Sequence, residues 1–269
     1  MVREVKLWPT RWRRQRLTPS RTSQSVAAYR AQLVRPHSPD GDPEAQRRLC
    51  AGMRPARSGA LRANLDARTA FFDSQVLAAI TDGIAQVVIL GAGYDDRALR
   101  FRSAGVRYFE LDHPATQRDK RRRLERIAID TAGLTLLEAD FRSDDAARVL
   151  AGGGHDAGKA SLFICEGLLV YLDEATIVRL LRSLRERAEA SSRLAASFAV
   201  HHAGLDSAIV VGTANARRAH GEREPWRTIL PVAAQFNLLE RAGWSVIDDG
   251  GDLEAAVERR TLLVVAAPT

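Results

Sequence analysis

The chain lacks several features that would assign its class outright. It has only two cysteines, Cys50 and Cys165, which lie far apart in sequence, and Cys165 falls in an apolar run where a buried free thiol is ordinary. Neither a disulfide framework nor a metal site is expected. Its purely apolar runs reach four to seven residues, against the roughly 20 that a bilayer-spanning helix needs, so no membrane partner is expected. The N-terminus is basic but lacks the apolar stretch of ~7–15 residues that a secretory signal requires, and a cytoplasmic protein is the expectation. Lysine is almost absent, at Lys6, Lys120 and Lys159 alone, so arginine supplies nearly all the positive charge. That bias is read as compositional.

Positive charge is abundant overall, at a net +7, but its distribution argues against a nucleic-acid partner. Residues 1–35 hold nine Lys or Arg against the single acid Glu4, which leaves 31 basic and 32 acidic residues for the remainder. The body is therefore close to neutral. Residues 1–22, with Trp8 and Trp12 among arginines, are expected to form a basic, mobile arm.

From residue 84 onward, short apolar β-rich runs alternate with helical patterns, the signature of a parallel sheet covered on both faces. Seven strand candidates follow in order: 87–90, 108–111, 134–139, 161–166, 194–200, 244–248 and 261–267. Ile177, Leu180, Leu181, Leu184 and Ala188 recur at helical spacing behind Asp173, a suitable cap. The organisation expected is a single domain over 23–269. It comprises a helical N-terminal cap (23–83), broken at the proline-rich RPHSPDGDP, and a doubly wound α/β Rossmann-like core (84–269). The long polar stretch 201–228 is expected to be a lid insertion between strands five and six.

The strongest local signal is VVILGAGYDDRALRF, a buried strand that turns through Gly91 and Gly93 into a helix. Glycines let a backbone bend sharply and approach a ligand, and the helix N-terminus presents free amides. A nicotinamide-binding turn would place a third glycine at position 96, where this chain has Asp96. A carboxylate there repels a pyrophosphate but tolerates a sulfonium, which favours a methyl donor over a dinucleotide. Strand two ends in ELDHP, placing Asp112 nineteen residues beyond Gly93, near the ~20 of an acid that binds ribose hydroxyls. The alternative is that Asp112 caps the helix opened by Pro114. Asp140 and Phe141 end strand three and are candidates for the adenine amino group and ring, while Glu166 ends strand four at the same edge.

Together, LDARTAFFD (65–73), VVILGAGYDDRALRF (87–101), FELDHP (109–114), EADFR (138–142) and CEGLLVYL (165–172), in this order, resemble the leucine carboxyl methyltransferase family, including its bacterial members. The resemblance implies a seven-stranded methyltransferase sheet and S-adenosyl-L-methionine as cofactor. It also implies that Arg68 pairs with the methionine carboxylate, that Gly91 lines the methionine end, and that Glu166 lies near the amino group and sulfonium. The eukaryotic members use an N-terminal lysine that has no counterpart in this arm.

Methyl transfer needs alignment and exclusion of water rather than a nucleophilic side chain. The expected activity is O-methylation of a small-molecule acceptor, a carboxylate foremost or a hydroxyl. His201, His202 and Tyr171 are the candidates for a catalytic or acceptor-facing role, with Trp226 and Arg227 as a possible wall. A protein carboxylate acceptor and a nucleotide-dependent oxidoreductase are the alternatives.

Overall fold

The computed structural model describes residues 18–55, 59–218, 224–258 and 260–269. Most of the basic arm, with Trp8 and Trp12, lies outside them. Seven strands form one sheet in the order β3-β2-β1-β4-β5-β7-β6. They are β1 (Gln86–Leu90), β2 (Arg107–Asp112), β3 (Leu134–Glu138), β4 (Ser161–Cys165), β5 (Arg193–Ala199), β6 (Trp244–Asp248) and β7 (Thr261–Pro268). Each coincides within about a residue with an apolar run of the sequence. β1 to β5 pair in parallel, so their C-terminal ends share one edge.

The sheet departs from an all-parallel one at β7, which runs antiparallel to both β5 and β6. The link from β6 carries only the six-residue helix Leu253–Glu258. A short return of this kind suits an antiparallel neighbour, whereas a parallel crossover needs a dozen or more residues.

Both faces of the sheet are covered, and the strand period of two divides the core between them. Val88 and Leu90 of β1 face a cluster with Phe163, Leu181 and Trp244, while Val87 and Ile89 face another with Phe72, Val76 and Phe101. The first layer includes α7 (Glu174–Arg185), capped by Asp173, whose side chain accepts the Thr176 amide. On the second face lies α3 (Gly59–Thr81), preceded by α1 (Arg21–Arg30) and α2 (Ala45–Leu49). α1 is capped by Ser20, so the helical cap takes in Arg21 and Thr22, which the sequence assigned to the arm. α4 (Arg97–Arg100), α5 (Pro114–Ile127) and α6 (Ala146–Gly152) follow β1, β2 and β3. Between β5 and β6 lie α8 (Ser207–Arg218) and α9 (Val232–Arg241). No helix among the described residues is long and apolar enough to cross a membrane, and Cys50 and Cys165 are buried free thiols.

Trp244 is fully buried, donates from Nε1 to the Leu181 carbonyl at 2.9 Å and stacks edge-on against Phe163. Trp244→Ala is expected to destabilise the fold by about 3–5 kcal/mol, measured as a lowered urea midpoint.

Candidate active site

The turn after β1 is built on left-handed backbone, with φ of +63° at Gly91 and +54° at Gly93. A Cβ on Gly93 would come within 2.7 Å of the Ser23 Cβ, so both conformation and the close approach of α1 require glycine. The freed Gly93 amide donates to Asp112 Oδ2 at 2.6 Å, and the His113 amide donates to Oδ1 at 2.5 Å. These bonds tie the β1 turn to the end of β2. Asp112 does not cap α5: that role falls to His113, whose ring accepts the Ala115 amide. Enclosure by protein raises the Asp112 carboxyl to about 6, although the Gly93 and His113 amides oppose the rise.

Beside this turn runs a buried chain of alternating charges. Arg68 Nε donates to Glu166 Oε1 at 2.9 Å, and Arg30 pairs with the same oxygen. Arg30 Nη1 also reaches Asp95 at 3.2 Å. Arg97 is the hub, bonding Asp95 at 2.6 Å, Glu166 at 2.7 Å and Asp73 at 2.7 Å with no exposed side-chain surface. Asp73 receives both Nε and Nη2 of Arg35, whose Nη1 reaches Asp96 at 2.7 Å, and Arg100 closes the chain on Asp96 at 2.7 Å. Removal from water would raise the Glu166 carboxyl, but Arg30, Arg97 and Arg68 outweigh it and hold the group well below the usual carboxylate range. Asp96 is held low by Arg35 and Arg100 against the same burial. The carboxylate at position 96 therefore faces guanidinium groups inside the protein and not a ligand.

Five guanidinium groups meet four carboxylates in this chain, which leaves one positive charge. Arg68 sits at its open end, with 16% of its side chain exposed. Its terminal nitrogens make no hydrogen bond among the described residues, and they pack against Gly167, where a Cβ would meet them at 3.2–3.3 Å. Glu166, expected at the ligand's amino group, is enclosed by arginines.

The remaining expected residues are dispersed. Asp140 accepts Arg142 Nε at 3.0 Å and Nη2 at 3.0 Å, and these bonds lower its carboxyl against the desolvation that would raise it. Phe141 is packed in the core. His201 is buried, with Nδ1 at 2.7 Å from the His202 carbonyl and Nε2 at 3.2 Å from Ser207 Oγ. His202 is exposed, and Tyr171 is half-buried in the 3-10 turn Leu169–Tyr171. The Arg227 amide donates to the Val170 carbonyl at 2.7 Å, drawing the chain after α8 onto that turn. An open groove of about 530 Å³ lies elsewhere, beside α7, lined by Asp144, Arg179 and Arg182 among others. Among the described residues no cluster of histidine, cysteine or carboxylate could hold a metal.

Sequence reasoning missed Arg30, Arg35, Arg97 and Arg100. Asp96, the residue before α4, and Arg100, its last, stand at i,i+4, a spacing at which opposite charges meet, and this was the one legible sign. Arg30 and Arg35 carried none.

The profile of the family described as Leucine carboxyl methyltransferase matches residues 14–185. A provisionally named S-adenosyl-L-methionine-dependent methyltransferase of Streptomyces coelicolor is 36% identical over 162 residues, covering 59% of this chain and 53% of that protein. A provisionally named S-adenosyl-L-methionine-dependent methyltransferase of Mycobacterium avium is 37% identical over 146 residues, covering 54% and 46%. The chain thus spans about half the length of the curated relatives it matches. Among solved structures, the magnesium protoporphyrin IX methyltransferase of Synechocystis, determined with bound SAH, superposes with a TM-score of 0.53 at 14% identity, covering 84% of this chain and 94% of that one. At that identity the likeness speaks for the fold.

Replacing the hub by Arg97→Met removes a buried guanidinium from three carboxylates at once, leaving them only Arg30, Arg35 and Arg68, and is expected to destabilise by about 3–5 kcal/mol. Arg68→Met, at the partly exposed end, is expected to lower the melting temperature far less. Equal losses in the two variants would contradict the assignment of hub and end.

Proposed function

We propose that this chain, which belongs to the leucine carboxyl methyltransferase family, is an S-adenosylmethionine-dependent O-methyltransferase acting on a small-molecule acceptor. The observation that carries the proposal is the Arg68 guanidinium, held by Glu166 through Nε with its terminal nitrogens unbonded among the described residues. A buried ion chain with one positive charge in excess, and with the two terminal nitrogens of Arg68 unbonded among the described residues at its open end, suits a ligand carboxylate, and a guanidinium fork is the natural partner for one. The other groups fit the same ligand: a glycine turn that lets backbone approach closely, and a carboxylate at the end of β2 for ribose hydroxyls. Bound S-adenosylmethionine supplies a methyl carbon activated by the adjacent sulfonium.

In this reading Arg68 takes the methionine carboxylate, and Glu166 is a positioning residue that holds the Arg68 fork by its Nε. Gly91 and Gly93 admit the ligand, and Asp112 accepts the ribose hydroxyls. Asp140 remains the candidate for the adenine amino group, with Phe141 supporting that end from the core. The segment 201–228 serves as a lid, and Tyr171, His202 and Arg227 are offered to the acceptor.

A carboxylate acceptor is favoured over a hydroxyl by the state of His201. Both of its ring nitrogens lie within hydrogen-bonding distance of protein groups, the His202 carbonyl and Ser207 Oγ, so His201 is held inside the protein rather than offered to an acceptor. A carboxylic acid is already ionised at neutral pH and needs no base, whereas an alcohol or phenol does.

Calorimetric titration with S-adenosylmethionine is expected to give micromolar binding, weakened at least tenfold in Arg68→Ala, with no binding of NAD. Affinity should also depend on pH. With the Asp112 carboxyl at about 6, the ionised acceptor of ribose hydroxyls is lost below that value, so binding tightens as pH rises through about 6. In Asp112→Asn this dependence is expected to flatten. Binding of NAD in place of the methyl donor would end the proposal.

A further inference from the structure

A second acid stands close to Asp112. Ser20, the cap of α1, donates from its backbone amide to Thr116 Oγ1 at 3.2 Å, in the first turn of the helix that follows Asp112. Its hydroxyl donates to Glu224 Oε2 at 3.1 Å. Ser23, one turn on, lies over Gly93, whose amide is bonded to Asp112. These contacts bring Glu224, 204 residues from Ser20 in sequence, to the sheet edge where β2 ends. It is near enough for its charge to help raise the Asp112 carboxyl. The segment behind it is fastened, since the Arg227 amide bonds Val170, Thr228 Oγ1 bonds the Leu172 carbonyl at 2.6 Å, and Leu230 pairs with Val200.

We propose that Glu224 is a second carboxylate of the cofactor pocket, carried in by the chain after α8 to share the ribose hydroxyls with Asp112. The inference rests on the cofactor reading above and adds a residue to it. A ribose offers two hydroxyl donors, and each Asp112 oxygen already accepts one backbone amide. Glu224 is half-buried and accepts a single hydrogen bond, from Ser20, among the described residues. It retains capacity where Asp112 has least. The pocket is then completed only when the lid segment and the N-terminal helix meet, which couples ligand retention to the Ser20–Glu224 contact.

The charged and titratable groups facing Asp112 define the control. Lys120 opposes the rise in its carboxyl and Glu224 adds to it, while Asp112 in turn raises buried Glu110, and His113 is its chain neighbour. Only Glu224 comes from the lid. The test is calorimetric binding of S-adenosylhomocysteine to the full chain between pH 5 and 8, for the wild type and for Glu224→Gln, Glu224→Asp and Ser20→Ala. Glu224→Gln is expected to weaken binding about tenfold and to move the midpoint of the pH dependence downward, because a negative neighbour of Asp112 is gone. Glu224→Asp keeps the charge and should keep the midpoint, and Ser20→Ala should leave it unmoved while weakening binding less than threefold. Glu224→Gln binding within twofold of wild type, at an unchanged midpoint, would make Glu224 a structural latch and overturn the inference. If the wild type binds S-adenosylhomocysteine nowhere in this range, the cofactor reading fails and the inference fails with it.

Discussion

The buried chain of arginines and carboxylates is the constraint on which the rest of the structure depends. Each member taken alone would be prohibitively expensive to remove from water, so the interior tolerates them only in strict alternation. Alternation in turn dictates geometry. α1 supplies Arg30, the loop after it Arg35, α3 supplies Arg68 and Asp73, the β1 turn supplies Asp95 to Arg100, and the end of β4 supplies Glu166. A hydrophobic contact could slide by an ångström, whereas a two-pronged guanidinium contact cannot without losing a bond. The N-terminal helices are thereby held in one position against the glycine turn, and the turn presents its backbone in one orientation.

The same arrangement explains how the fold could be legible while the site was only partly so. The strands were readable because apolar runs such as VVIL and SLFIC report burial directly, and burial on both faces leaves few alternatives to a central strand. The positions of Asp112, Asp140 and Glu166 at strand ends were readable for the same reason. What each carboxylate bonds to was not. Asp96 and Glu166 look alike in sequence to ligand-facing acids, and only three-dimensional neighbours, Arg35 and Arg30 from segments far upstream, reveal that their charge is spent inward. The scarcity of lysine, read as composition, has a structural correlate. Five arginines make multiple or directed bonds that a lysine ammonium would not reproduce. The reversal of β7 was unreadable because apolar runs carry no direction.

The two ends of the candidate site differ in chemistry. One end, around Arg68 and Glu166, is held by buried ion pairs. The other, outer end is closed by weaker, longer-range contacts: one serine, one glutamate and a few backbone hydrogen bonds between the chain after α8 and the turn after β4. Stability is unevenly distributed in proteins, and openings occur where buried apolar contacts are fewest. In the proposed reading, ligand entry and exit belong to the outer end.

The ion chain also orders events during synthesis. Arg68 and Glu166 are 98 residues apart, and Arg30 lies 65 residues from Asp95, so each early guanidinium leaves the ribosome well before its counter-charge. At about 5–20 residues per second, Arg30 of α1 and Arg68 of α3 wait for several seconds before these partners are made. A nascent chain halted before β4 lacks Glu166, and with it the carboxylate that Arg68, Arg30 and Arg97 share in the finished interior.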